Sequence, residues 1–414
     1  MASTEASLAA EARPEVRLLL ATGGGEDQDD VIVRAASGPI DWERFLMFVR
    51  RERAASVVWP RLRRLCQDNI PATVRKWLQR EALLGDVRMT RLSARLDETL
   101  NALTTAGIPV VLLKGAALGR TIYRSLPRRP MLDLDMLVPD QQVRSARNAV
   151  LATGWEPGPY EELGETFYRD HCHLPPFYDQ AGGDFSLELH WDLLFRGHPF
   201  SLDVRQLWDR SHPLPDAPLV RVLDTSDTVL HLAIHFAWGH MLKSAAWRTF
   251  RDLRALVDEG DVNWDQIVSE AHRVRAASCC YWTFSMARAW TGVPVPAWVT
   301  DSLRPPRSPR GVRVLERHFV EQWYPAGTER PHPHLEKMLW RAAIRPRWSG
   351  HGGVVPWQRD AHFKPDRAEP QPLETSRGKA LRYMREFRDS LRYLRGILTR
   401  IGGPGEPVRP RRQM

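Results

Sequence analysis

Cysteine is scarce in this chain of 414 residues: there are four, Cys66, Cys172, Cys279 and Cys280, with neither CxxC spacing nor a disulfide framework among them. That pattern fits a reducing compartment and excludes a disulfide-stapled secreted scaffold. Long apolar runs are lacking too. Stretches such as "PVVLLKG" are strand-sized, far short of the roughly 18 residues a bilayer-spanning helix requires. The N-terminus has no basic start, and its "LLLA" is too short for the apolar region of a signal peptide. The expectation is a cytoplasmic protein with no transmembrane segment.

What is present supports a sizeable core: 43% of residues are apolar. A formal net charge of +9 favours acidic partners such as nucleotides, RNA or anionic lipid, without choosing among them. Residues 1–100 read as a polar start followed by amphipathic helices, because apolar residues recur at threes and fours up to Gly107. Residues 101–222 change character. "IPVVLLKG" and "MLDLDMLV" are short strand-like runs around a helical segment, and "ETFYRDHCHLPPFY" and "GDFSLELHWDLL" are two further extended segments. Residues 223–300 return to helical spacing, with Asp224 or Ser226 as N-cap and Gly260 as stop. Residues 301–414 are rich in Pro and Arg, and no compact fold is expected of them apart from a basic amphipathic helix near 379–400.

The stretch "RPMLDLDMLV" carries the chemistry. Side chains alternate along a strand, so Asp133 and Asp135 share one face while Leu132, Leu134 and Met136 occupy the other. Two carboxylates about 6.7 Å apart repel by roughly 2.5 kcal/mol at an effective dielectric of 20, so a counter-charge is expected. Mg²⁺ is suited to that place: it takes a few carboxylates, keeps several waters and completes its octahedron with phosphate oxygens. In "FSLELHW", Ser186, Glu188 and His190 share a face, and Glu188 is the candidate third acid. Lys114, Gly115 and Ala116 stand at a strand-to-helix junction where backbone approach and positive charge suit phosphate, and Arg128 and Arg129 are candidates to clamp a triphosphate.

Other features have plainer readings. His231 and His235 have metal-compatible i, i+4 spacing, with His240 nearby, but in a Trp-rich helix packing is the stronger expectation. "HCH" at 171–173 reads as a strand with polar residues. Arg248 and Asp252 read first as an intrahelical pair beside a core Trp247, and second as part of a nucleotide-facing wall.

Together, the Lys114-Gly115 strand end, the Asp-x-Asp strand and the later Glu188 resemble the DNA polymerase β-like nucleotidyltransferase superfamily. More narrowly, the "LKG" and "RPMLDLD" blocks resemble an uncharacterised nucleotidyltransferase family found in bacterial biosynthetic clusters, over residues 40 to 300. The resemblance implies an α+β fold: a mixed-sheet core with helices, flanked by N- and C-terminal helical regions. It implies Asp133, Asp135 and Glu188 as catalytic metal ligands, with two Mg²⁺ ions (Mn²⁺ as an alternative) and an NTP such as ATP as donor. Gly115 is then expected against the phosphates. Ala116 stands where the superfamily often has Ser, which leaves Lys114 to supply that contact. The acceptor is open among small molecules, peptides and proteins. Helix 379–400 is a candidate docking element for a partner, nucleic acid being less favoured. A non-catalytic nucleotide-binding adaptor is the alternative.

Overall fold

The computed structural model describes residues 13–158, 171–179, 185–195, 197–260, 262–324 and 333–346, together with 384, 388 and 391. Among these are seven strands in one sheet and fifteen helices. Residues 1–305 form one compact unit and 306–414 a second. No helix of the described residues is long and apolar enough to cross a membrane.

Five helices precede the sheet: α1 (Pro14–Thr22), α2 (Asp29–Ala36), α3 (Trp42–Glu52), α4 (Ala55–Cys66) and α5 (Ala72–Thr105). In α5, Val74, Leu78, Ala82, Met89, Leu92, Leu96, Leu100 and Leu103 recur at threes, fours and one double turn, and all are buried. Such spacing lays a continuous apolar stripe along one side of a rod about 50 Å long. Gly107, at φ 70, reverses the chain after α5 and delivers Ile108 to the sheet. The "LLLA" run lies in α1, where Leu18, Leu19 and Leu20 are fully buried.

The strands are β1 (Val110–Leu112), β2 (Asp133–Leu137), β3 (Trp155–Pro157), β4 (Phe177–Asp179), β5 (Ser186–His190), β6 (His212–Leu214) and β7 (Ala217–Val222). Their order is β3-β4-β5-β2-β1-β7-β6, mixed in direction. β2 runs parallel to β5 and antiparallel to β1, while β1 runs parallel to β7. One face of the sheet carries the larger core: Leu134, Met136, Leu187, Leu189, Val110, Leu112 and Val222 pack there with the C-terminal half of α5. On the opposite face, Leu137 joins Val111, Leu113, Leu193, Leu207 and Leu223. Because alternate residues point to opposite faces, Asp133 and Asp135 share the face of Leu137.

Two short helices belong to the sheet's connections, α6 (Lys114–Arg120) and α8 (Val204–Arg210), with α7 (Val143–Ala152) between them in sequence. The helices α9 (Thr225–Ile234), α10 (Ala246–Asp258), α11 (Trp264–Arg273), α12 (Ala277–Thr291) and α13 (Ala297–Leu303) complete the unit. Asp224 caps α9, accepting from the backbone N–H groups of Ser226 and Asp227. Helical spacing across 225–259 suggests one element, but the chain makes two, separated by a π-helical turn, His235–Gly239, and a loop. Met241, Leu242 and Ala245 adopt left-handed φ values of 51, 55 and 61 in that loop. Three such non-glycine residues cost of order 1–3 kcal/mol each, and strained segments of this kind gather at functional sites.

In the second unit, α14 (Pro309–Gln322) and α15 (Pro333–Ile344) correct the expectation of a tail without compact structure. Val312, Leu315 and Phe319 of α14 are buried, an apolar stripe that the surrounding Pro and Arg residues disguise. Of the expected helix 379–400, only residues 384, 388 and 391 lie within the described set. They are helical, and Met384 and Leu391 are 61% and 51% exposed.

Candidate active site

The parallel register of β2 and β5 sets Asp133 opposite Ser186, Asp135 opposite Glu188 and Leu137 opposite His190. All six side chains therefore lie on one face, and the two acids that sequence places 53 residues apart become cross-strand neighbours. His190 Nε2 lies 3.1 Å from Asp135 Oδ1 and 3.4 Å from Glu188 Oε2. One donor atom from each of Asp135, Glu188 and His190 falls within a span of 4.8 Å, a grouping that fits a divalent ion. Asp133 stands outside that trio.

Lys114 closes the other side: its Nζ donates to Asp135 Oδ1 at 3.0 Å. The residue opens α6 just after β1, at φ 45, a left-handed conformation uncommon for a non-glycine residue. Next to it, a Cβ on Gly115 would come within 3.1 Å of Met131 Sδ and 3.3 Å of Arg129 Nη1, so a larger residue here would press on both. Ala116 is 1% exposed and belongs to the larger core. Its methyl packs among apolar neighbours of that core.

The charges follow from this packing. Burial acts to raise the Asp135 carboxyl, but the Lys114 charge and the His190 hydrogen bond outweigh it and hold the group well below the usual carboxylate range. Asp133 keeps an open surface but is recessed among protein atoms; burial and the neighbouring Asp135 charge push it up, with Lys114 and Arg248 opposing. For Glu188, the His190 hydrogen bond and the His173 charge overcome burial and lower it. Burial works against the charged form of Lys114, yet Asp135, Glu188 and Asp133 together raise it above the ordinary lysine range. His190 is likewise raised, since hydrogen bonds to Asp135, Cys172 and Glu188 outweigh burial.

Several residues with plain sequence readings also adjoin this face. His173 pairs by an isolated bridge with His190, their rings 5.0 Å apart, so the "HCH" segment borders the acids. His231, His235 and His240 form a wall beside Lys114. Burial first, then cationic neighbours including Lys114, push His231 down to about 3 and His240 to about 4, and carry His235 well below its usual value. The His235 ring lies 6.2 Å from that of His231 and 4.6 Å from that of His240, each pair edge to face.

The two arginines expected at the triphosphate part company. Arg128 is exposed in the turn Leu126–Arg128. Arg129 is buried, its guanidinium engaged by Asp252 and by the Pro130 carbonyl, which it meets at 2.8 Å from Nη1. The intrahelical pair expected between Arg248 and Asp252 is not formed: Arg248 Nε lies 3.4 Å from Glu52 Oε2, and its charge acts on Asp133 and His240. Of the first of its two sequence readings the core Trp247 holds, fully buried, while Arg248 pairs with Glu52 instead of Asp252. No sequence signal separates Arg129 from Arg128 here, because the partner Asp252 is 123 residues away.

No curated protein and no solved structure matches this chain. A family described as uncharacterised nucleotidyltransferase matches residues 38–292, a span containing the whole sheet, α9 and α10. The mixed sheet with helical flanks is the α+β architecture expected of it. The chain belongs to this nucleotidyltransferase family, and is an enzyme that transfers phosphorus-containing groups.

Proposed function

We propose that the protein transfers a nucleoside monophosphate from an NTP to a hydroxyl or phosphate on a small molecule, peptide or protein, releasing pyrophosphate. The observation that carries this reading is the β2–β5 register, which gathers Asp133, Asp135 and Glu188 on one sheet face beside the Lys114-Gly115 turn. Asp133, Asp135 and Glu188 are assigned as catalytic ligands of divalent metal, Mg²⁺ being suited to the carboxylates and the triphosphate and Mn²⁺ the alternative. A bound divalent ion lowers the pKa of the acceptor group and offsets charge on the departing pyrophosphate.

In the reaction, the acceptor oxygen forms a bond to the α-phosphorus as the bond from that phosphorus to the bridging oxygen of the pyrophosphate breaks. Glu188, 26% exposed at its side chain, is assigned to help activate the acceptor hydroxyl as the third carboxylate. Lys114, the Gly115 backbone and exposed Arg128 are assigned to the phosphates, with Ala116 contributing only main chain. Arg248 supplies a cation on the facing wall. Arg129 acts from behind, by fixing the segment that leads into β2. A reaction drawing on an NTP pool is assigned to the cytoplasm.

Pyrophosphate release from each NTP, in Mg²⁺ and in Mn²⁺, measured for the natural chain and for an Asp133→Asn/Asp135→Asn variant, tests the assignment. Turnover confined to the natural chain is expected; equal turnover by both sinks it. A second reading, a non-catalytic nucleotide-binding adaptor, is favoured by one contact: Asp135 Oδ1 already meets two internal cationic side chains, Lys114 and His190. That reading requires NTP binding without turnover. Partner recruitment through helix 379–400 would then be lost on removing residues 375–414.

A further inference from the structure

We infer that His190 is itself a metal ligand, and that the position shared by Asp135, Glu188 and His190 takes a first-row transition ion, Mn²⁺ in preference to Mg²⁺. This deepens the reading of the protein as a metal-dependent nucleotidyltransferase and rests on it. Three observations carry it.

The first is convergence. His190 points between the two carboxylates, with one nitrogen, Nε2, within 3.4 Å of an oxygen of each. An ion bound to those two oxygens meets that nitrogen and takes the place of the proton held there, which leaves to solvent. The second is rigidity. His190 is 5% exposed, fixed by its place at the end of β5 opposite Leu137 and flanked by His173. A ligand held by strand register loses little conformational freedom on binding. The third is the division of the acids. Asp133 lies outside the trio of convergent donors, on the more open part of the face.

Donor chemistry then separates two places. Around Asp133 the available protein donor is oxygen, and triphosphate oxygens complete a set that suits Mg²⁺. At Asp135 the set is two carboxylates and one imidazole. Mg²⁺ favours all-oxygen octahedra and gives up water reluctantly, whereas transition ions gain from imidazole nitrogen, and Mn²⁺ also accepts hard carboxylates. Lys114, 3.0 Å from Asp135 Oδ1, adds positive charge beside the same place. It weakens every dication there, so the third donor has more influence on which ion binds.

The probe is Mn²⁺ itself, added to the full-length protein without nucleotide and followed by electron paramagnetic resonance. Loss of the free-ion signal measures affinity, and electron spin echo envelope modulation reports directly bonded nitrogen. The natural chain is expected to bind Mn²⁺ about tenfold or more tightly than Mg²⁺, measured by competition, and to show ¹⁴N modulation. His190→Asn is expected to lose the modulation and most of the Mn²⁺ preference, while His173→Asn keeps both. Should His190→Asn fail to fold, the modulation of the natural chain and of His173→Asn still decides the matter. Tight Mn²⁺ binding without nitrogen modulation, or modulation lost with His173, overturns the role of His190 and leaves the metal-dependent reading standing. Failure to bind either ion, with or without added NTP, overturns both.

Discussion

Arg129 and Asp252 form a buried, two-toothed ion pair. Nε of Arg129 donates to both carboxylate oxygens at 2.8 and 3.0 Å, and Nη2 donates to Oδ2 at 2.6 Å. The Tyr123 hydroxyl adds a third donor, at 2.9 Å from Oδ1. The pair fastens the segment before β2 to the middle of α10. On that helix Arg248 lies one turn before Asp252 and pairs with Glu52, its charge acting to lower the Asp133 carboxyl. The tie thus joins two elements that are 123 residues apart in sequence.

Breaking the pair from one side leaves a buried charge without its partner. Asp252→Asn or Arg129→Met is expected to cost about 3–5 kcal/mol, read from the urea midpoint. The double variant Arg129→Met/Asp252→Leu should cost clearly less than the sum of the singles, because no lone charge remains. Strict additivity would show that the two side chains are not coupled.

The two aspartates of β2 are expected to behave alike in catalysis and differently in folding. Asp133→Asn and Asp135→Asn should each lower nucleotidyl transfer by more than the roughly 10–100-fold typical of losing a supporting contact at a metal site. Asp135 is 2% exposed and is the counter-ion of Lys114, so Asp135→Asn should also destabilise the protein by about 3 kcal/mol. Asp133 feels mainly burial and the like charge of Asp135, so Asp133→Asn should leave stability equal or raise it. Thermal unfolding of the two variants side by side checks the contrast, and matching losses would contradict it.

Lys114→Met separates the two tasks given to that ammonium. Removing its charge from beside Asp135 should raise affinity for Mg²⁺ or Mn²⁺ in the absence of nucleotide, by about tenfold. The same variant should bind NTP more weakly. Calorimetric titrations with metal alone and with NTP measure the two directions, and parallel weakening of both would assign Lys114 to holding the fold.

The neutral histidine wall implies an acid-sensitive fold. His231 is pushed down to about 3 by burial and by Lys114, against an unfolded value of 6.5. As pH falls below 6.5 the unfolded chain takes up a proton that the folded one refuses, so stability present above 6.5 is lost progressively toward 3. His231→Leu should reduce the slope of unfolding free energy against pH by about 1.4 kcal/mol per unit between about pH 6 and pH 4. An unchanged slope would mean that His231 is protonated in the folded chain.

Much of the acid-bearing face is legible in the sequence because strand alternation is local. Asp133 with Asp135, and Ser186, Glu188 and His190, each share a face by counting residues in twos. Asp224 as the cap of α9 is legible for a similar reason, since a cap acts on backbone two and three residues ahead. The break between α9 and α10 is not, because non-glycine residues carry no mark of the left-handed conformations that Met241, Leu242 and Ala245 adopt. α14 is hidden because proline and arginine around it dominate the local composition.

By itself, the sequence determined which residues share a face and which helices have an apolar side, since both depend on the fixed periods of strand and helix. Which strand lies beside which was decided by tertiary structure alone. The β2–β5 pairing brings Glu188 and His190 to Asp135, and the packing of α10 takes Arg129 for Asp252 and sets Arg248 against Glu52. Ion pairs and metal ligands depend on distances of a few ångströms between residues far apart in the chain, and only burial of the two opposed cores sets those distances.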